Sequence, residues 1–125
     1  MTKNTTLTSA EEKLAALIWQ DAPLTSPDLV ALAEKELNWK KSTTYTVLKK
    51  LCDKGVFKNE SAYVSVVLTR DEQMARQSRG YVEDAFGGSL PKFITSFFSG
   101  GKLAPEQAAE LKRLVEEYEE SENNG

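Results

Sequence analysis

Residues 39–55, WKKSTTYTVLKKLCDKG, carry the densest chemistry in the chain. Lys40, Lys41, Lys49, Lys50 and Lys54 stand against a single acid, Asp53, with the short hydroxyls Ser42, Thr43, Thr44 and Thr46 between them. Tyr45, Val47, Leu48, Leu51 and Cys52 recur at helical spacing, and Gly55 supplies the left-handed stop that commonly follows a helix. Such a helix has one greasy face and one face of lysines and small hydroxyls. The second face suits the major groove of DNA, because lysines meet phosphates while threonines are small enough to approach base edges and thymine methyls. The competing reading is a solvated amphipathic helix.

What the chain lacks narrows the chemistry further. It has no histidine, the commonest general base and metal ligand. Cys52 stands alone, so neither a thiolate metal site nor an internal disulfide is expected. Gly87-Gly88 and Gly100-Gly101 are isolated pairs that read as hinges, not as a phosphate-cradling loop. An enzyme would have only scattered carboxylates to work with, so no catalytic residue, metal or cofactor is expected. The longest apolar run, Leu14 to Trp19, is six residues, too short for a membrane span or a signal-peptide core. The expected setting is the cytoplasm, without membrane insertion.

A net charge of −3 argues, taken whole, against nucleic acid. Its distribution argues the other way. Residues 39–58 hold six lysines against Asp53, a local balance of +5, whereas residues 103–125 hold Lys112 and Arg113 against seven glutamates, a balance of −5. A basic middle and an acidic end suit a binding face in one place and a different task in the other.

The elements that must position the lysine helix are legible on either side of it. The polar opening, Met1 to Leu7, is expected to be loosely ordered. Thr8-Ser9-Ala10-Glu11 has the form of a capping box and opens a helix to about Gln20 with Leu14, Leu17 and Ile18 on one face. Leu24 is a candidate short strand, and Thr25-Ser26-Pro27-Asp28 opens a second helix that buries Leu29, Val30, Ala33 and Leu37. Asn38-Trp39 then turns the chain into the lysine helix, the helix-turn-helix order. Val56–Glu60 and Tyr63–Leu68 are β-branched and aromatic segments around a tight reversal, a small hairpin. Helix, helix, helix, hairpin is the winged-helix variant.

Beyond the hairpin, Thr69-Arg70-Asp71-Glu72 is another capping box and launches a fourth helix towards Phe86, with Met74, Tyr81, Val82, Ala85 and Phe86 as its apolar side. Leu90, Phe93, Ile94, Phe97 and Phe98 repeat at i, i+3, i+4, i+7 and i+8 in a short fifth helix. A sixth starts near Pro105 with Ala108, Leu111, Leu114, Val115 and Tyr118 on one face, and dissolves in the polar tail Ser121–Gly125. Some 55 residues of amphipathic helix are too few for a core of their own. Phe93, Ile94, Phe97, Phe98, Leu111, Leu114, Val115 and Tyr118 are most easily buried against a second copy of themselves; packing back on the winged helix is the alternative.

In this order, three segments together resemble the bacterial BlaI/MecI penicillinase-repressor family, which includes the copper-responsive CopY repressors. They are LTSAEEKLAALIW (Leu7–Trp19), the pattern W-x-x-x-T-x-x-T-x-L-x-x-L-x-x-K-G from Trp39 to Gly55, and FGGSLPKFITSFFSGGKLAPEQAAELKRLVEEY (Phe86–Tyr118). The resemblance implies a mainly α fold with a small β-hairpin: a winged helix-turn-helix over residues 1–69 and a three-helix dimerisation domain over 70–125 with a short acidic tail. It implies a homodimeric transcriptional repressor on a palindromic double-stranded DNA operator. Base-reading positions carried over are Ser42, Thr43 and Thr46, with Lys40, Lys41, Lys49, Lys50 and Lys54 on phosphate. It also implies release by proteolysis near Ser96-Phe97, driven indirectly by a membrane sensor-protease system. Departures are local. Lys40-Lys41 replace a Ser-Pro helix start, and the wing tip, Asn59-Glu60-Ser61-Ala62, is short and acidic. Ser96 replaces the residue at the known cut, and the cysteine-rich tail of the copper-sensing branch is absent.

No arginine precedes Arg70 and the lysine helix has no Asn or Gln, so the bidentate guanine and adenine contacts are missing from it. Specificity is expected from Thr43, Thr46, Ser42 and DNA shape. The alternative function is a winged-helix protein-interaction module without specific DNA binding.

Overall fold

A computed structural model of the chain describes residues 5–124. Six helices and three short strands follow one another as α1 (Ser9–Asp21), β1 (Leu24–Thr25), α2 (Ser26–Leu37), α3 (Lys41–Asp53), β2 (Phe57–Glu60), β3 (Tyr63–Val66), α4 (Arg70–Phe86), α5 (Leu90–Ser99) and α6 (Pro105–Asn124). The architecture is mainly α with a small antiparallel sheet, a winged helix-turn-helix followed by three further helices.

The helices begin where their caps dictate. The Thr8 hydroxyl accepts from the Glu11 N–H, and Glu11 reaches back to the Thr8 N–H, the two halves of a capping box. Thr69 and Glu72 repeat the device at α4. Thr25 caps α2 through the Asp28 N–H, with Pro27 in the first turn, where its missing donor costs nothing. α2 ends on Asn38 in the left-handed region (φ 58°), and the Trp39 N–H donates back to the Ala33 carbonyl. This closing motif aims the chain into α3.

The core lies among the first three helices and the sheet. Leu14, Ala15 and Ile18 of α1, Leu29 and Ala33 of α2, Val47, Leu48 and Leu51 of α3, and Val56, Phe57 and Val64 around the hairpin are all buried. Trp19 packs on Phe57 with ring centroids 5.4 Å apart, and its indole N–H donates to the Leu68 carbonyl. Both tryptophans anchor the edge of this cluster. The sheet order is β1-β3-β2, with Leu24 opposite Val64 and Phe57 opposite Val66. Leu24–Thr25 thus makes the expected hairpin a three-stranded wing. The reversal consists of Ser61 and Ala62, both at positive φ (52° and 62°). The Ser26 N–H donates to the Ala62 carbonyl and ties that turn to the start of α2.

Three expectations are corrected. Residues 5–7 are not loose: Leu7 is buried in the core, while Met1–Asn4 lie outside the described residues. The polar end of α6 stays helical as far as Asn124, and Gly125 is outside the described residues. In α4 the expected apolar positions Met74 and Tyr81 are both 57% exposed, and the one buried residue is Gln73. The reason is that α4 docks on the winged helix through hydrogen bonds rather than through an apolar stripe.

Candidate nucleic-acid interface

α3 is held by its inner face. Val47, Leu48 and Leu51 enter the core, and Thr44, fully buried, donates its hydroxyl to the Lys40 carbonyl one turn back. Tyr45 is half-buried, its hydroxyl reaching Ser26 Oγ at 3.4 Å, so it braces α3 against the start of α2. With these residues turned inward, Ser42, Thr43, Thr46, Lys49 and Lys50 are left exposed on the opposite face, with Lys40 and Lys41 at its amino-terminal end. Ser42 and Lys49, and Thr43 and Lys50, are each seven residues apart, so hydroxyls and ammonium groups form two rows two turns long. The first turn has no acid, and Lys40 makes no side-chain cap, so the start of α3 adds basic charge without offsetting it.

The geometry refines what each group offers. The Thr46 hydroxyl donates to the Ser42 carbonyl (2.9 Å), which uses its proton and leaves a methyl and oxygen lone pairs facing outward. Such a side chain reads a thymine methyl, or an amino group that donates to it. Lys49 pairs with Asp53 at 3.3 Å, but both side chains are more than three-fifths exposed. A phosphate can displace that contact at little cost. Lys41 rests its ammonium 6.0 Å from the Tyr45 ring centre. At the wing, Lys58 and Glu60 face each other at 3.8 Å, so the tip presents a paired acid.

Lys54 departs from its expected place on phosphate. Its ammonium donates to Glu11 at 2.6 Å and to the Thr6 carbonyl at 2.8 Å, and its side chain is only 19% exposed. The cause is position: Lys54 caps the carboxy-terminal end of α3, four residues beyond Lys50, where its ammonium meets Thr6 and Glu11 at the start of the chain. Burial pushes the Glu11 carboxyl up, but the Lys54 hydrogen bond, the Thr8 N–H and the Lys54 charge outweigh it and hold it below the usual carboxylate range. Burial pushes the Cys52 thiol up, helped by the Asp53 charge, so it stays protonated and packs as a small apolar group. No cluster of three potential metal ligands exists among the described residues.

At the far end of the chain, Phe93, Ile94 and Leu111 are half-buried, while Phe97, Phe98, Leu114, Val115 and Tyr118 are exposed. Neither α5 nor α6 has a buried residue. Phe86, Phe93 and Tyr81 meet edge to face, with Phe93 also 6.4 Å from Phe97, so one aromatic row runs from α4 along α5. Ser96 and Phe97 lie within α5 and are exposed.

What sequence reasoning missed is a polar joint between the winged helix and α4. Gln73 Nε2 donates to the Thr5 carbonyl and to Gln77 Oε1, and Gln73 Oε1 accepts from Arg76 at 2.6 Å. The Leu7 N–H donates to Gln77 Oε1. The only available signal was a glutamine in the first turn after a capping box, which carries no pattern of its own.

A recognition helix seated on two core helices, beside a three-stranded wing, defines a winged helix-turn-helix, a class that reads double-stranded DNA. The profile of the penicillinase repressor family matches residues 7–117, and the chain belongs to that family. It is therefore a DNA-binding transcriptional repressor, a member of a family of regulators. Comparison with individual curated proteins gives no match. No helix among the described residues is long and apolar enough to cross a membrane.

Proposed function

We propose that the protein acts as a homodimer on a palindromic operator in the cytoplasm. α3 enters the major groove in each half-site, and residues 70–125 join the two copies. Ser42, Thr43 and Thr46 read base edges; Lys40, Lys41, Lys49 and Lys50 meet phosphates. The observation that carries this reading is the outer face of α3, where hydroxyls and lysines are exposed together while every apolar side chain of the helix turns inward.

Pairing of two copies is supported by surface area. A compact monomer of 13.9 kDa exposes about 6,700 Å². This chain exposes 9009 Å², and the excess is of the size that one partner buries in an obligate homodimer. The aromatic row of α5 and the Leu114, Val115 and Tyr118 face of α6 are the surfaces to be covered. Pairing also serves recognition. Contacts by threonine and serine each discriminate less than a bidentate pair, worth about 1–3 kcal/mol, so two half-sites must add up. Release by cleavage at Ser96-Phe97 fits their exposure, although α5 must unwind locally to present an extended strand to a protease; a membrane sensor-protease would act at a distance.

A mobility-shift titration against fragments containing an inverted repeat, at several salt concentrations, tests the reading alongside sedimentation of the free protein. Sequence-selective, salt-dependent binding by a dimer is expected. A chain that remains monomeric at micromolar concentration, or binds random DNA equally well, leaves only a protein-interaction module.

A further inference from the structure

α4 is the first helix beyond the wing, and its only buried residue is polar. Gln73 is 1% exposed and spends its amide on three partners: the Thr5 carbonyl, Gln77 Oε1 and the Arg76 guanidinium. Arg76 in turn lies over the turn that ends α3, since a Cβ on Gly55 would sit 3.7 Å from Arg76 Nη1. Arg76 Nε is buried with no acceptor among the described residues. Beside this, Lys54, the residue that closes α3, holds the Thr6 carbonyl and Glu11. Residues 5–7 are thus clamped between the end of the recognition helix and α4. The Leu7 N–H donates to Gln77 Oε1 in the same joint, and two further ties, the Arg70 guanidinium 5.1 Å over the Trp19 ring and the indole hydrogen bond to Leu68, lie at or just before the start of α4.

An apolar joint tolerates sliding, because the hydrophobic effect has no direction. A buried hydrogen-bonded joint does not, since its bonds weaken steeply off their axes. From this joint we infer that Gln73 is a positioning residue: it fixes the angle between each recognition helix and the dimerising helices, and so sets the spacing of half-sites the dimer accepts. The inference rests on the dimeric operator reading above. Gln73 does not touch DNA in it. It acts through the direction in which α3 is presented, because α4 is the only continuous element leading from the winged helix to the pairing surfaces.

The test uses full-length protein, Gln73→Met, which keeps length and burial but removes all three hydrogen bonds, and Arg76→Met as a second variant. Each is titrated against operators whose half-sites are separated by the natural spacer or by one or two added base pairs. Each added pair rotates one half-site by about 35° around the duplex. The wild type is expected to lose affinity about tenfold or more per added pair, and Gln73→Met about threefold or less, with unchanged dimer mass and unchanged affinity for an isolated half-site. Should Gln73→Met melt early, Arg76→Met gives the same comparison with the buried amide intact. Wild-type spacer preference retained in both variants overturns this inference alone. A wild type without any spacer preference, or without a dimer, overturns the operator reading as well.

Discussion

Lys54 and Lys50 look alike in sequence, and the structure places them in opposite surroundings. Lys50 is exposed on the outer row of α3, while Lys54 is folded onto Glu11 at 2.6 Å, with side-chain exposures of 19% and 3% for the pair. Removing one partner of a fully buried pair costs about 3–5 kcal/mol, and the water that still reaches Lys54 reduces this to about 2–3 kcal/mol. At roughly 4 °C per kcal/mol for a chain of this size, Lys54→Met should lower the melting temperature by about 10 °C. It should leave the salt dependence of operator binding unchanged. Lys50→Ala should do the reverse. Its stability change should stay within about 0.5 kcal/mol. Its slope of log K against log salt should become shallower by about 0.9 per half-site, about 1.8 for the dimer. Thermal melts by circular dichroism and anisotropy titrations at four salt concentrations measure both quantities. A Lys54→Met protein with normal melting and a shallower slope would refute the assignment and return Lys54 to the phosphate backbone.

Other consequences are as sharp. Thr46→Ala should weaken operator binding by about 1 kcal/mol per half-site with no change on random DNA. Thr46→Val, which keeps a methyl, should recover part of that loss, and equal losses on both DNAs would remove Thr46 from base reading. Phe97→Glu places a charge in the aromatic row at a side chain already 60% exposed, so sedimentation should show a monomer whose winged helix melts normally; an intact dimer would place the pairing surface elsewhere. Glu11 is held below its ordinary pKa, so its contribution to stability is complete above the unfolded value of about 4.3 and disappears as pH falls through the lower folded value. The difference in melting temperature between wild type and Glu11→Gln should therefore shrink on acidification through that window, and parallel curves would show that Glu11 does not titrate with folding.

The outline of the fold was legible because its signals are local. Thr8, Thr25 and Thr69 each cap a helix within one residue of where their motifs place it, and Asn38 and Gly55 end helices in the left-handed region. The outward face of α3 was legible for a related reason, since 3.6-residue periodicity sorts Val47, Leu48 and Leu51 from Ser42, Thr46 and Lys49. What escaped depends on contacts distant in sequence. Thr5 and Gln73 are 68 residues apart, and Lys54 and Glu11 are 43 apart. Neither pair has a spacing that periodicity can detect. Composition even pointed the wrong way, because a run of lysines implies one shared role and a polar α4 face implies solvent. Leu24 alone was read as a short strand and Tyr63–Leu68 as part of a hairpin, yet the pairing of Leu24 with Val64 and of Thr25 with Tyr63 was visible only in the folded sheet.

These long-range polar contacts bear on how a chain of net charge −3 engages a polyanion. Under the proposed reading, in which α3 approaches the phosphates, the seven glutamates of the carboxy-terminal stretch would repel DNA and α6 would have to stand away from it. Two copies joined through α5 and α6 would place that repulsion on the dimer axis and the lysine rows outside it. The arrangement works only if α4 holds its direction, because rotation about a loose joint would swing the acidic helix towards the groove as readily as the basic one. Under the proposed reading, the buried amide of Gln73 and the Lys54–Glu11 pair serve the same end as the lysines they never join. They keep the attractive face and the repulsive face apart, and a joint built from oriented hydrogen bonds maintains that separation better than an apolar contact of similar area.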